Sequence, residues 1–440
     1  MRDQSRIGVA AGLCLGLISA GLLAAAPVRA ASGVLPQAPK APAGVCNGPV
    51  PPGQAIPALP WAQRLIGPDR IWPFTRGGGV KVAVLDSGVE ASHPQLAGKV
   101  LPGFDFIRNV AGADFDCNGH GTAVASIIAA RHVDGVGFQG LAPDVTIIPV
   151  RVSEREPGQS GASVNGVTLA KAINYAVTAG AKVINMSFTL DADDPVVHAA
   201  IDSATAADVT LVAAVGNAHS DTAGETGDPA TYPAAYNGVI GVGDISENGQ
   251  RDTKSNVGSY VDLMAPGDTV VAAAAGGGQN YFTGTSFATP VVSAAAALLR
   301  SRQPNLHASA VAQRLRATAD PAPGGTDSRE YGHGIVDPYR AILDGLVPGT
   351  PSPAGPLAVP AVDPAAQARA QRWYHSGQLA LGVGGGALGL VILIAIAAAA
   401  RRQGRKRGWA VRRATPPPKP PPIAEPQEIF FSVPGANRTE

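Results

Sequence analysis

Cysteine, aromatic side chains and net charge are all scarce in this 440-residue sequence. The three cysteines are Cys14, Cys46 and Cys117. Cys14 lies inside an N-terminal apolar run. If that run is removed, two thiols remain, and a pair in an exported protein points to one disulfide, Cys46 to Cys117. A formal net charge of +1 excludes a general nucleic-acid binder, which needs a basic surface. Aromatics make up only 5% of residues, against 54 glycines and 39 prolines. That balance suits close backbone packing, with Pro-rich segments outside the core. No metal or cofactor site is expected: Asp114 and Asp116 stand close together but read as a solvated loop.

What the sequence does contain is strongly segmented. Residues 1–30 read as a secretory signal: Arg2 and Arg6 precede an apolar body from Ile7 to Ala26, and Val28-Arg29-Ala30 offers a small-residue cleavage site. Residues 31–78 form an arm, Pro/Ala-rich around Cys46, whose apolar residues Ile66, Ile71 and Trp72 should dock on the domain that follows. Residues 347–376 are Pro/Ala-rich again and read as a semi-rigid linker. The stretch 377–400 carries no charge. At ~1.5 Å rise per residue it reaches roughly 35 Å, enough for one transmembrane helix. Arg401, Arg402, Arg405, Lys406 and Arg407 follow at once and mark the cytoplasmic side. Residues 401–440 are then a cytoplasmic basic and Pro-rich tail, and the domain before the linker lies outside the membrane.

Between these flanks, residues 79–346 alternate strand-like and helix-like patterns. Val80 to Leu85 is a buried strand ending at Asp86. Later strands are expected at Val145 to Val152, Lys182 to Ser187, Val209 to Val215, Val239 to Val242 and Tyr260 to Leu263. Helices are expected at Gly121 to Ala130, Val164 to Ala179, Pro195 to Ala207, after Ser286, and at Ala308 to Ala319. For the second, the expected apolar face is Val164, Val167, Ala170, Ile173, Ala176 and Val177. Alternation of this kind implies an α/β fold with a mostly parallel central sheet covered on both faces, and sites at the carboxyl ends of its strands.

Three polar residues stand at Gly-lined junctions of that pattern: Asp86 in Leu85-Asp86-Ser87-Gly88, His120 in Asn118-Gly119-His120-Gly121, and Ser286 in Gly284-Thr285-Ser286-Phe287-Ala288-Thr289-Pro290. Each alone is an ordinary turn or cap residue. Together they are what acyl transfer requires. A serine hydroxyl needs a base to take its proton, imidazole serves near neutral pH, and a carboxylate orients the imidazole. Asn217, in Ala213-Ala214-Val215-Gly216-Asn217, can donate a side-chain N–H to a developing oxyanion, with the Ser286 backbone N–H as a second donor. Gly-Thr-Ser-Phe-Ala lacks the second glycine of the esterase pattern Gly-x-Ser-x-Gly.

These segments resemble the signatures of the subtilisin-like serine proteases, in that family's order Asp, His, Ser, over roughly Gly79 to Leu346; the family's triad order and oxyanion asparagine are known examples of this chemistry. The resemblance implies a subtilisin-like three-layer fold and a catalytic set of Asp86, His120 and Ser286, with Asn217 in the oxyanion hole. The order of segments resembles the mycosins more narrowly, the membrane-anchored proteases of type VII (ESX) secretion systems. That implies an exported protein as substrate and the secretion membrane complex as partner. It also admits a role as a structural stabiliser of that complex, with proteolysis dispensable. After Asn185-Met186-Ser187 the family's common Leu-Gly is replaced by Phe188 and Thr189, so the cleft edge differs. The arm is too short to be the folded inhibitory prodomain common in the family, and is expected to stay attached, tied beside His120 by Cys46–Cys117.

Overall fold

The computed structural model describes residues 42, 45–46, 50–154, 165–220, 227–323, 325, 328–344 and 398–403. The chain divides into two units, Met1–Leu357 and Ala358–Glu440. The expected signal segment and linker, and nearly all of the apolar span and tail, lie outside the described residues. Residues 398–403 are helical; among the described residues no helix is long and apolar enough to cross a membrane.

In chain order the first unit runs α1 (Trp61–Ile66), α2 (Pro68–Ile71), β1 (Lys81–Asp86), β2 (Phe104–Asp105), β3 (Val110–Ala111), α3 (His120–Ala129), β4 (Thr146–Arg151), α4 (Gly166–Thr178) and β5 (Val183–Met186). It continues with α5 (Pro195–Ala206), β6 (Thr210–Ala214), β7 (Val239–Ile245), β8 (Leu263–Pro266), β9 (Val270–Ala273), β10 (Gln279–Phe282), α6 (Thr285–Arg302), α7 (Ala308–Ala317) and α8 (Pro338–Leu343). Eight strands form one sheet in the order β3-β2-β4-β1-β5-β6-β7-β8. Every pairing from β2 to β8 is parallel, and only the short β2–β3 pair is antiparallel. β9 and β10 form a separate hairpin.

The alternation of β1 divides the core into two layers. Val82 and Val84 join the cluster built with α3, α6 and α7. Ala83 and Leu85 join the cluster under α4 and α5. Opposite faces of one strand feed opposite layers because successive side chains point to opposite sides of the pleat. β1 lies between β4 and β5, so the chain leaves it in both directions. Such a reversal opens a crevice at the carboxyl ends of the strands, and Asp86 ends β1 there.

Sequence periodicity misplaced three features. The buried face of α4 is Leu169, Ala170, Ala172, Ile173 and Ala176, while Val167 is 49% exposed; the helix packs on both the sheet and α5, which turns its first turn outward. The strand expected at Tyr260 to Leu263 starts only at Leu263, because a turn bonds Val261 N–H to the Gly258 carbonyl. The β9–β10 hairpin was not expected: its Ala/Gly-rich sequence shows neither period.

The arm is docked as expected. Ile71 is fully buried and Trp72 Nε1 donates to the Leu141 carbonyl at 3.0 Å. Gln54 exchanges backbone hydrogen bonds with Gln279 at 2.9 and 2.8 Å, extending the β10 edge by one antiparallel bridge. A disulfide joins Cys46 to Cys117, with Cα atoms 5.2 Å apart.

Candidate active site

Asp86 and His120 meet because two glycines let β1 and α3 approach. A Cβ on Gly121 would lie 2.1 Å from the Gly88 carbonyl oxygen and 3.0 Å from the Asp86 Cβ. Gly88 has φ +102°, and a Cβ there would lie 2.0 Å from the Phe115 carbonyl oxygen, so both positions demand glycine. With that approach, His120 Nδ1 lies 2.7 Å from Asp86 Oδ1. The Ser87 backbone N–H donates to the same oxygen at 2.8 Å. Asp86 and His120 are both buried. An ionised carboxylate can only accept, so Nδ1 carries the proton and Nε2 presents its lone pair in the neutral imidazole.

The start of α3 is held by a carboxylate that sequence reasoning set aside. Asp116 is half-buried, not a solvated loop residue. Its Oδ1 accepts from Ser87 Oγ, Asn118 N–H and Gly119 N–H at 2.9, 3.1 and 2.9 Å. Its Oδ2 accepts from Thr122 N–H and Thr122 Oγ1 at 2.8 and 2.7 Å. An anion at this point satisfies orphan helix donors and faces the positive helix end. Ser87 Oγ also accepts from Gly121 N–H at 3.0 Å, linking the end of β1 directly to α3. The signal that could have found it is Asp116 three residues before Gly119, a cap spacing next to a histidine.

Ser286 is the second residue of α6 and is buried at 3% exposure. Its Oγ donates to the Ser187 carbonyl at 3.1 Å. Phe287 packs on the imidazole of His120, ring centroids 5.1 Å apart, which places the start of α6 beside the end of α3. Gly284, just before the helix, has φ +135°, and a Cβ there would lie 3.1 Å from Asn217 Nδ2. That close approach lets Asn217 Oδ1 accept the Thr285 N–H at 2.9 Å. The bond commits the oxygen of the exposed Asn217 side chain. Its Nδ2 is left as the donor and lies beside Gly284 at the helix start. Asn256, which sequence reasoning missed, steadies this loop: its N–H donates to the Gly216 carbonyl at 3.0 Å and its Oδ1 accepts from Ala218 N–H at 2.8 Å.

Asp86, His120, Ser286 and Asn217 therefore gather near the carboxyl ends of the central strands, and Cys117 sits three residues before His120. A buried imidazole–carboxylate pair, a hydroxyl on a helix N-terminus and an amide beside it suit acyl transfer. Among the described residues no cluster of three or more His, Cys, Asp or Glu side chains could hold a metal.

Fold and site together define a subtilisin-like hydrolase. The chain belongs to the subtilase family, whose sequence model matches residues 77–334. It is 37% identical over 348 residues to mycosin-4 of Mycobacterium tuberculosis, covering 70% of this chain and 75% of that one. It is 36% identical over 278 residues to a thermophilic serine proteinase of a Bacillus species, covering 62% of this chain and spanning 64% of that protein's length. The solved structure of MycP3 protease from the type VII (ESX-3) secretion system superimposes with a TM-score of 0.59 at 31% identity, over 70% of this chain and 99% of that one.

Proposed function

We propose that this chain is a membrane-anchored serine endopeptidase that cuts exported protein in association with a type VII secretion complex. The observation that carries the reading is the 2.7 Å contact of His120 Nδ1 with Asp86 Oδ1, beside a serine at a helix N-terminus. Ser286 Oγ attacks the scissile carbonyl and gives its proton to His120 Nε2. Asp86 holds the imidazole in the required tautomer and stabilises the imidazolium. Asn217 Nδ2 and the Ser286 N–H receive the oxyanion. His120 then protonates the leaving amine, and water repeats the sequence to release the acyl group. The hydroxyl must exchange its Ser187 carbonyl acceptor for Nε2 as this begins.

The signal-like start, the apolar stretch 377–400 and the arginines after it support export with retention at the membrane. The likeness to mycosin-4 and MycP3 supports work beside a secretion complex. The test is Ser286→Ala, which should fold normally, lose labelling by a fluorophosphonate probe and lose cleavage of peptide. Wild-type cleavage by that variant rules the reading out. Secretion in cells carrying only Ser286→Ala separates the two roles: failure assigns the function to proteolysis, and normal secretion assigns it to a scaffold.

A further inference from the structure

Helix α6 contains Pro290, four residues after Ser286. In an α-helix the carbonyl of residue i accepts the N–H of residue i+4, and proline has none. The Ser286 carbonyl is thus deprived of its helical donor, in a part of the protein where an unpaired polar group is costly. The Ser187 hydroxyl fills the place and donates to that carbonyl at 2.7 Å. Two further bonds lie behind it. Asn185 Nδ2 donates to Ser187 Oγ at 3.0 Å, and Ser293 Oγ donates to Asn185 Oδ1 at 2.9 Å.

The direction of this ladder is forced. A carbonyl only accepts, so the Ser187 proton points to Ser286. Ser187 Oγ then accepts from Asn185, which must turn its amide nitrogen forward and its oxygen back to the Ser293 hydroxyl. Asn185, Ser187 and Ser293 are exposed by no more than 1%, so water cannot substitute for any of them. Ser187 and Ser286 are also joined in return by the bond from Ser286 Oγ to the Ser187 carbonyl. The end of β5 and the start of α6 are pinned by two opposed hydrogen bonds.

We infer that Ser187, backed by Asn185 and Ser293, is a positioning residue for Ser286: its hydroxyl replaces the amide that Pro290 lacks and so fixes where the nucleophile stands. The inference rests on the reading of Ser286 as nucleophile. Placement matters because a shift of about 1 Å in a reacting group can cost on the order of a hundredfold in rate.

The experiment uses the full-length protein and a fluorophosphonate probe, from which Ser286 Oγ displaces fluoride. The labelling endpoint counts folded sites, and the rate reports the nucleophile's placement. Ser187→Ala should label roughly tenfold or more slowly per folded site. Adding Pro290→Ala to it supplies an N–H at position 290 and should recover at least about fivefold, while the same change in the wild-type background gives no such gain. An unchanged rate in Ser187→Ala, no recovery, or equal effects in both backgrounds would overturn the inference. Should Ser187→Ala not accumulate, Ser293→Ala, two helical turns from the nucleophile, should label several-fold more slowly; a wild-type rate there refutes the ladder. Persistent labelling of Ser286→Ala instead refutes the nucleophile assignment, so the two failures are distinct.

Discussion

Individual residues in this fold are placed by backbone constraints as much as by their own chemistry. Gly121 and Gly88 set the approach of His120 to Asp86, and Gly284 sets the approach of Asn217 to the start of α6. Asp244 shows the same dependence with a different outcome. It is fully buried on β7, with no positive charge set against its carboxylate among the causes of its shift. Burial first, and then the negative charges of Asp252 and Asp268, push its pKa up to about 7. Because folding raises this pKa above that of a free aspartate, the folded state holds the proton more tightly. The resulting stability is fully present below about pH 4 and is lost as pH rises through about 7. Between pH 5 and pH 8 that loss is about 2–3 kcal/mol. Asp244→Asn, which cannot ionise, should lack it. Thermal melts at the two pH values should show wild type losing more stability than the variant, and equal losses would disprove the assignment.

At the scale of elements, the start of α3 deserves a separate test because it carries the proposed base. Asp116 accepts five hydrogen bonds there, more than a simple helix cap needs. Asp116→Ala should destabilise the protein by about 2 kcal/mol, the upper range of a lost cap plus unpaired donors. It should also slow fluorophosphonate labelling more than tenfold, since His120 opens that same turn. Labelling at the wild-type rate in the folded fraction would show that the turn holds its shape without Asp116. The hairpin of β9 and β10 acts at the same scale. Its Gly276 to Gln279 turn accepts the arm through Gly53 and Gln54. His93, neutral because burial lowers its pKa, supports the turn from below through the Gly278 carbonyl at 3.0 Å. Neither the hairpin nor its role was visible in a run of alanines and glycines.

For the whole molecule, the arm is part of the folded unit and closes on the site's border. The bond between Cys46 and Cys117 spans a sequence separation of 71. In the chain-entropy view such a loop stabilises by about 4 kcal/mol. Cys46→Ser should lower the melting temperature accordingly, matching the effect of reductant on wild type, and reductant should do nothing further to the variant. A melting temperature unmoved by the substitution would mean that the arm's backbone bonds and the burial of Ile71 hold it unaided.

Much of this molecule was legible before any coordinates. The alternation of apolar runs and amphipathic stretches located β1, α3, β4, β5, α5 and β6 to within a residue or two, because burial on both sheet faces leaves an uninterrupted apolar signature. The four candidate site residues stood out because each stands within two residues of a glycine at a junction between elements. Other features had no local signature. Asn185 and Ser187 look like the unremarkable end of a strand. Their partners Ser293 and Ser286 lie 108 and 99 positions away. Hydrogen bonds over such separations depend on which strand lies beside which, and the order of strands is not written in any one of them. The alternating α/β pattern and the residue types able to transfer an acyl group are legible in the sequence alone. It takes the packing of the elements to bring Asp86 to His120, to set Asn217 against the start of α6, and to let a buried serine supply the donor that proline cannot, because those are distances between elements and not properties of any one of them.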